Sequence, residues 1–462
     1  MGRLVIVSNR VTQPGARAGR AGGLEVALRD TLHGSGGLWV GWSGEIASAT
    51  SIEPHLQHSG PVQYATLDLS ETDHAQYYNG YCNGTLWPLL HYRLGLMEFR
   101  RENLEAYLRV NEAFAVALSG LLRADDLIWV HDYHLIPLAA NLRSRGVANR
   151  IGLFLHTPFP PPEVFTTLPR YEILVNALAC YDLVGLQTEG DRANLARTIA
   201  QHRQLAMNSG GDIDLGTRLL RVCAVPIGID TAAVQQMAAS MGGGPEGRRL
   251  LDSLGGRQLI LGVDRLDYSK GLPQRFEAFE RLLADFPEHR SKVTFMQIAP
   301  VSRGEVREYR ELRRELDRRA GRINGKFAEF DWMPLRYLNR SFGRHVLSGF
   351  YRHARVALVT PLRDGMNLVA KEWVAAQDAA DPGALVLSRF AGAAYELADA
   401  LLVNPLDADA MADALHRALT MPAEERRERW QSMLRNISDN TVIAWRETFL
   451  HLLEDAPTPV LA

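Results

Sequence analysis

Short apolar runs rich in Val, Ile and Leu alternate with longer amphipathic stretches along almost the whole chain. The runs have the length and the polar borders of strands buried on both faces, and they lie at 4–7, 127–130, 151–155, 183–186, 220–225, 258–263, 293–298, 356–359, 384–387 and 401–403. The stretches that predict helices are 103–122, 135–145, 191–202, 273–285, 306–319, 368–376, 408–419 and 442–453. This alternation predicts an α/β fold in which helices cover both faces of parallel sheets.

The chain has 462 residues, which is enough for two or three domains. The alternation is interrupted at 241–247, the segment densest in Gly and Pro, which indicates a turn or a linker. We therefore predict two doubly wound α/β units of similar size, with a boundary at 225–230 or within 241–247. Loops at the carboxyl ends of both sheets would then meet at a central cleft, a favoured place for a ligand.

Composition excludes several classes of protein. Lys plus Arg number 51 against 53 for Asp plus Glu, so the basic excess typical of nucleic-acid binding is missing. The cysteines are Cys82, Cys180 and Cys223, too few and too far apart for a disulfide framework or a zinc site. No apolar run is long enough for a signal peptide or a membrane span, so we expect a cytoplasmic protein without a membrane partner.

The strongest local signal for a site is the sequence VDRLDYSKG at 263–271. It joins a predicted strand to a predicted helix, and the positive end of a helix with its unpaired N–H groups favours an anion. Arg265 can bind two phosphate oxygens side by side, and Lys270 adds a mobile charge. The alternative is a solvated turn with a surface ion pair.

A second strand-to-helix turn has the sequence PLRDGMNL at 361–368, followed by VAKE. Gly365 permits a tight bend, after which backbone amides can face a ligand. Glu372 lies one helical turn after Leu368, where a carboxylate suits the two hydroxyls of a ribose. The alternatives are that Asp364 caps the helix and that Glu372 only complements its dipole.

The first half of the chain offers weaker signals. Arg10 ends the first strand, and the pair Gly22–Gly23 precedes a helix without forming a dinucleotide-binding fingerprint. Polar residues end two further strands in the sequences HDYH at 131–134 and HTPFP at 156–160. The aromatic segments 77–80 and 86–88 could stack on sugars. Structural histidines and aromatic core packing are the alternatives.

Eleven segments together carry a resemblance that spans nearly the whole chain. They are SNR at 8–10, AGGL at 21–24, GLWVGWSGE at 37–45, YYNGYCNGTLWP at 77–88, HYRL at 91–94, IWVHDYHL at 128–135, FLHTPFP at 154–160, DRLDYSKGLPQRF at 264–276, QIAPVSRGEV at 297–306, GRINGKF at 321–327 and TPLRDGMNLVAKE at 360–372. On these motifs the chain resembles the trehalose-6-phosphate synthase family, retaining glycosyltransferases of the GT-B type with two Rossmann-like domains.

The resemblance implies transfer of glucose from a nucleotide sugar, typically UDP-glucose, to glucose 6-phosphate, without a metal or other cofactor. It implies an acceptor domain at 1–228, a nucleotide-sugar domain at 229–440 and a helix at 441–462 that packs back on the first domain. A homo-oligomer is possible. The implied donor-binding residues are Gly22, Gly23, Arg265, Lys270, Asp364, Gly365, Met366, Asn367, Leu368 and Glu372.

For the acceptor, the resemblance implies a pocket formed by Arg10, Tyr78, Trp87, Asp132 and Arg303. His156 would contact the donor sugar, and His156, Asp132, Arg265 and Lys270 are the expected catalytic residues. The family is thought to react by same-face return, in which the departing phosphate oxygen takes the acceptor's proton. Asp132 and His156 would then position and polarise, while Arg265 and Lys270 stabilise the leaving diphosphate.

Related functions remain open at this point. A GT-B transferase with another acceptor, such as a glucosylglycerol-phosphate synthase or a cyclitol pseudoglycosyltransferase, is the nearest alternative. A catalytically silent sugar-phosphate sensor is disfavoured because Arg265, Lys270 and Asp364 are all present. A dehydrogenase would need the glycine fingerprint that this chain lacks. The sequence does not distinguish UDP, GDP and ADP donors.

Overall fold

A computed structural model of the chain describes residues 2–11, 28, 32, 36–208, 211–216, 218–302 and 306–456. The chain divides into two compact units. The N-terminal unit contains Met1–Pro226 and Trp445–Ala462, and the C-terminal unit contains Ile227–Ala444.

The N-terminal unit is built on a nine-stranded sheet of order β3-β4-β2-β1-β5-β6-β7-β9-β8. Its strands are β1 (Leu4–Arg10), β2 (Gly37–Ala47), β3 (His55–Ser59), β4 (Val62–Ser70), β5 (Leu127–His131), β6 (Ile151–Phe154), β7 (Leu183–Leu186), β8 (Ile213–Asp214) and β9 (Leu219–Ala224). All neighbours are parallel except β3 with β4 and β8 with β9. The central strands β5, β6 and β7 are almost entirely buried, as expected when helices cover both faces.

The C-terminal unit has a six-stranded sheet of order β12-β11-β10-β13-β14-β15, in which every pair is parallel. Its strands are β10 (Gln258–Val263), β11 (Val293–Ile298), β12 (Leu335–Leu338), β13 (Val356–Val359), β14 (Ala384–Ser388) and β15 (Leu401–Val403). Strand order reverses beside β10 here and beside β1 in the other sheet. The gaps between β10 and β13 and between β1 and β5 are therefore topological switch points, where such sheets bind ligands.

Helices connect the strands in both units. The N-terminal unit has Glu71–Asp73, a widely wound π-helical segment His74–Leu86, Trp87–Leu90, Leu94–Leu96, Arg101–Ser119, Tyr133–Leu135, Leu138–Ser144, Pro162–Phe165, Tyr171–Leu178 and Glu189–Arg203. The C-terminal unit has Thr231–Gly242, Pro245–Leu254, Tyr268–Lys270, Leu272–Asp285, Pro287–His289, Arg307–Phe327, Arg344–His353, Leu368–Ala376, Gly392–Tyr395, Ala408–Thr420 and Ala423–Asp439. The last helix is Val442–Glu454, and its residues from Trp445 onward belong to the N-terminal unit.

All ten predicted strands and all eight predicted helices are present, with ends shifted by a few residues. The alternation did not reveal β2, β3, β4, β8 or β12. Strand β2 mixes glycines with tryptophans, and its second half is partly exposed from Ser43 onward, so it lacks the long apolar run of a buried strand. Residues 241–247 cover the end of helix Thr231–Gly242, a turn at 243–244 and the start of helix Pro245–Leu254, all within the C-terminal unit, so they are not a linker between the units.

Two further predictions concern the cysteines and membrane-spanning segments. The three cysteines are free, with Cys82 buried and the other two half-buried. Over the described part of the chain, none of the helices combines the length and the apolar character that crossing a membrane requires.

Candidate active site

Lys270 and Asp364 lie at the switch point of the C-terminal sheet and form an ion pair. Their Nζ and Oδ2 atoms are 2.5 Å apart, and both side chains are largely buried. Gly271 follows Lys270 with a φ of +67°, and a Cβ there would lie 2.3 Å from the carbonyl oxygen of Thr360. Glycine is therefore required for the loop after β10 to pass this close to the end of β13.

The turn after β13 is organised around Asp364 and Asn367. The Asn367 amide donates to Asp364 Oδ2 at 3.0 Å, while its Oδ1 accepts from the Ala370 N–H at 3.2 Å. Asn367 is thus the N-cap of helix Leu368–Ala376, which corrects the alternative that Asp364 has this role. Its φ of +83° lies at positive values, which asparagine adopts more readily than most other residues with a side chain. Gly365 and Met366 are buried within this turn.

Arg275 is a fully buried arginine beneath the Lys270 loop. It pairs with Asp264 at 2.7 Å and donates to the hydroxyl of Thr360 at 3.1 Å and to the Lys270 carbonyl at 3.1 Å. A further bond at 3.3 Å reaches Gln297 on β11. One side chain therefore ties together the ends of β10, β11 and β13.

Replacing Arg275 with methionine is expected to lower the free energy of unfolding by about 3–5 kcal/mol, because Asp264 would remain buried without its counter-charge. Urea unfolding of the wild type and the variant measures the difference. The double variant Arg275→Met with Asp264→Asn should recover part of the loss, and Arg281→Met on the surface should change little. Equal stability of the Arg275 variant and the wild type would contradict the assignment.

Glu372 lies on the first turns of helix Leu368–Ala376 and faces Arg344 from the helix Arg344–His353. The Arg344 guanidinium and Glu372 Oε1 are 3.4 Å apart, and the Glu372 side chain is 15% exposed. Burial raises the pKa of Glu372, and Arg344 opposes that rise. Arg265, two residues after β10, is exposed at the same end of the sheet.

In the N-terminal unit, Arg10 begins a row of neighbouring aromatic and histidine rings. Its guanidinium lies 5.5 Å from the centre of the Trp42 ring, which lies 6.2 Å from Tyr78. Tyr78 stacks on His134 at 6.0 Å. Gly44, at a φ of +95°, leaves room for Arg10, because a Cβ there would lie 2.6 Å from the guanidinium. The row presents a cation and flat apolar faces, a combination suited to a sugar phosphate.

The row continues from His134 to Tyr133, whose ring lies 4.0 Å from His134 and 5.9 Å from Trp87. Trp87 is only 7% exposed and also packs on His91. Asp132 adjoins this row with a φ of +73°, a strained value for a residue with a side chain. The structure thus places Arg10, Tyr78 and Trp87 along one continuous set of contacts, with Asp132 next to Tyr133 in the chain.

His156 follows β6 and is held by hydrogen bonds from both ring nitrogens. Its Nε2 lies 3.2 Å from His131 Nδ1, and its Nδ1 lies 3.4 Å from the Gln187 side-chain amide. Its backbone N–H donates to Asp132 at 3.3 Å. Burial lowers the pKa of His156 to about 3, so its ring is neutral at physiological pH. A histidine with both nitrogens engaged and so low a pKa suits positioning better than proton transfer.

The free energy of unfolding is expected to fall as the pH drops below about 6.5. Below that pH, His156 binds a proton in the unfolded chain but stays unprotonated in the folded chain. His156 alone contributes a loss of at most about 1.4 kcal/mol per pH unit, which continues towards pH 3, and His131, whose pKa is also lowered by burial, contributes a further loss. Urea unfolding at pH 7.5 and 5.5 should show a smaller difference in His156→Asn than in the wild type. The same difference in both would refute the low pKa of His156, and the variant His55→Asn, at an exposed histidine, serves as control.

Some expected residues lie outside the described part of the chain, namely Gly22, Gly23 and Arg303. Arg275 and Arg344 were missed by the sequence analysis. Arg275 occupies the apolar stripe of its helix with Leu272, Phe276 and Phe279, and an arginine at such a position signals a buried ion pair. Arg344 gives no comparable signal, since its link to Glu372 depends on helix packing.

Two Rossmann-like sheets with polar and charged residues gathered at their switch points are the arrangement found in glycosyltransferases of the GT-B class, and solved structures of such enzymes match this chain. Comparison with known proteins gives the family. A model of glycosyltransferase family 20 matches residues 7–455, and the chain belongs to this family.

Individual relatives are similar over their full length. The trehalose-6-phosphate synthase of Enterobacter sp. (strain 638) is 48% identical over 98% of this chain and 95% of its own. A crystal structure of an α,α-trehalose-phosphate synthase (UDP-forming) from Burkholderia vietnamiensis has a TM-score of 0.96 at 49% identity, covering 99% of this chain and 97% of that one. The corresponding UDP-forming enzyme from Burkholderia xenovorans, in complex with glucose 6-phosphate, has a TM-score of 0.93 at 48% identity over 98% and 100% of the two chains.

Proposed function

We propose that this chain transfers glucose from UDP-glucose to glucose 6-phosphate with retention, giving α,α-trehalose 6-phosphate and UDP. The observation that carries the proposal is the similarity, at 48% identity over 98% of the chain, to a UDP-forming synthase crystallised with glucose 6-phosphate. The paired Lys270 and Asp364 at a switch point support the proposal. They place a cation that can bind phosphate beside a carboxylate that can accept hydrogen bonds from sugar hydroxyls.

The donor residues contact different parts of the nucleotide sugar. Arg265 and Lys270 bind the diphosphate. Asp364 and the backbone of residues 365–368 bind the glucose, and the Glu372 carboxylate accepts hydrogen bonds from the ribose hydroxyls. As the bond to the glucose carbon breaks, negative charge grows on the diphosphate while the sugar becomes oxocarbenium-like. Cations fixed in advance lower the energy of that state more than that of the bound donor.

The proposed acceptor residues hold glucose 6-phosphate, and all of them except Arg303 belong to the N-terminal unit. Arg10 binds the phosphate, with Arg303 as the second proposed cation, and Tyr78, Trp87 and Asp132 contact the sugar. The departing phosphate oxygen takes the proton of the acceptor's anomeric hydroxyl, so no enzyme base is needed. The neutral His156 supports this scheme, since its ring neither supplies nor removes a proton near pH 7.

The choice of substrates can be tested with a panel assay. UDP-, GDP- and ADP-glucose are each combined with glucose 6-phosphate or with glycerol 3-phosphate, and release of the nucleoside diphosphate is measured. We expect the highest kcat/KM for UDP-glucose with glucose 6-phosphate. Faster reaction with glycerol 3-phosphate would instead favour a glucosylglycerol-phosphate synthase.

Activity is expected to survive removal of divalent cations, because Arg265 and Lys270 supply the charge that a diphosphate-bound metal would otherwise provide. Steady-state rates are compared before and after dialysis against EDTA. Complete loss on chelation, with recovery on adding Mg²⁺ or Mn²⁺, would contradict the metal-free scheme.

A further inference from the structure

A second group of side chains capable of chemistry lies in the C-terminal unit, away from the donor residues. It consists of Glu288, His289 and His416 and is called here the two-histidine cluster. His289 ends the short helix Pro287–His289 that precedes β11, while His416 lies in the helix Ala408–Thr420. The proposed reaction uses none of these residues.

We propose that the two-histidine cluster is a binding site for one zinc-like divalent transition-metal ion. His289 Nε2 and His416 Nδ1 are 2.9 Å apart, and His416 Nδ1 is 3.7 Å from Glu288 Oε1. The ligand atoms all lie within 4.8 Å of one another. Ligands about 2.0–2.1 Å from a tetrahedral zinc ion lie about 3.3 Å apart, so small side-chain shifts would complete the set.

The surroundings hold the two rings in place. His289 is only 6% exposed, and Phe286 stacks on His416 with ring centres 4.1 Å apart and planes 13° apart. The Glu288 side chain is 52% exposed, so an ion can enter from solvent and keep a water as its fourth ligand. Lys292 is the nearby opposing charge, but it is exposed and therefore screened by solvent.

The chemistry of the ligands selects the ion. Imidazole nitrogen favours zinc, copper and nickel over magnesium or calcium, which prefer oxygen ligands. Without metal, the N–H of one imidazole donates a hydrogen bond to the ring nitrogen of the other. On binding, that proton moves to the opposite nitrogen of its own ring, so both rings stay neutral and the carboxylate supplies the only ligand charge.

The position in the fold points to a structural or regulatory ion. His289 lies just before β11, at the amino-terminal edge of the sheet, whereas Lys270 and Asp364 follow the carboxyl ends of β10 and β13. A six-residue strand separates these edges by about 20 Å. The ion should therefore stabilise the folded chain, in proportion to the logarithm of its concentration over Kd, without entering the glucosyl transfer.

The test titrates the chelator-treated full chain with Zn²⁺ in a calorimeter and records thermal unfolding with and without the ion. We expect one ion per chain and a raised Tm. His416→Gln should weaken binding at least about 100-fold, since even changes to residues behind a ligand cost about 10–100-fold. Glu288→Gln, at an exposed position that does not endanger folding, should weaken it about 10-fold or more.

His451→Gln is the matched control, because His451 pairs with Asp455 at 3.3 Å on the surface of the other unit without a second imidazole. It should bind Zn²⁺ like the wild type. With Co²⁺ as the probe, the visible absorption of a tetrahedral site should appear in the wild type and be absent from His416→Gln. No binding by the wild type, or equal binding by the wild type and both cluster variants, would overturn the proposal.

Discussion

Lys270→Ala is expected to lower kcat/KM by about 10²-fold or more, the scale on which losing one preorganised charge-stabilising group slows an enzyme. The Lys270 side chain is positioned at the switch point by its ion pair with Asp364. Its backbone is fixed by the buried Arg275, whose guanidinium donates to the Lys270 carbonyl. Because the charge on the leaving diphosphate grows in the transition state, the loss should fall mainly on kcat rather than on KM for UDP-glucose.

The variant also leaves Asp364 without its cation, so its folding has to be checked. Asn367 still donates to Asp364, and Asp364 is less buried than Asp264, so we expect a smaller loss of stability than in Arg275→Met, which the urea midpoint measures. Lys326→Ala, an exposed lysine of the same unit, is the control and should keep full activity. A rate near the wild-type value in the folded Lys270 variant would remove this lysine from leaving-group stabilisation.

The second large effect concerns the acceptor, where glucose 6-phosphate should be used about 10³-fold better than glucose. A dianionic phosphate gains charge-assisted hydrogen bonds from guanidinium groups, each contributing about 1.5–3 kcal/mol. Two such bonds give roughly 4 kcal/mol, which corresponds to about three orders of magnitude in kcat/KM. Free glucose has no phosphate with which to make them.

Arg10→Met separates this explanation from a general preference for larger acceptors. The variant should lose most of the discrimination between glucose 6-phosphate and glucose, while calorimetric binding of UDP-glucose remains nearly unchanged. Arg145→Met, an arginine paired with Glu112 on the surface of the same unit, should leave both properties intact. If Arg10→Met instead lost the nucleotide sugar and kept its acceptor preference, the proposed acceptor pocket would be wrong.

Much of the fold could be predicted because buried parallel strands leave a clear pattern. β10, β11 and β13 are runs of apolar residues between polar ends, and the sequence analysis located each of them. β2 has no such signature, because its Trp39 and Trp42 alternate with glycine and small residues. The pattern also says nothing of strand order, which depends on long-range pairing such as that of β10 with β13.

The sequence could predict the individual loops of the candidate site, but not the contacts between residues far apart in the chain. The loops after β10 and β13 are each recognisable, but the contact between Lys270 and Asp364 joins residues 94 positions apart. The hydrogen bond from Arg275 to Thr360 joins residues 85 positions apart, and neither segment shows in its sequence that it contacts the other. The low pKa of His156 likewise results from burial by the folded unit rather than from its neighbours in sequence.

The most direct test of the proposed reaction follows the anomeric carbon of the donor. The chain is incubated with glucose 6-phosphate and UDP-glucose labelled with ¹³C at the anomeric carbon, and the products are examined by NMR. We predict UDP and a non-reducing disaccharide phosphate in which the labelled carbon has the α configuration and is joined to the α-anomeric carbon of the acceptor. A labelled carbon in a β linkage, or labelled free glucose with the acceptor unchanged, would contradict retaining transfer to glucose 6-phosphate.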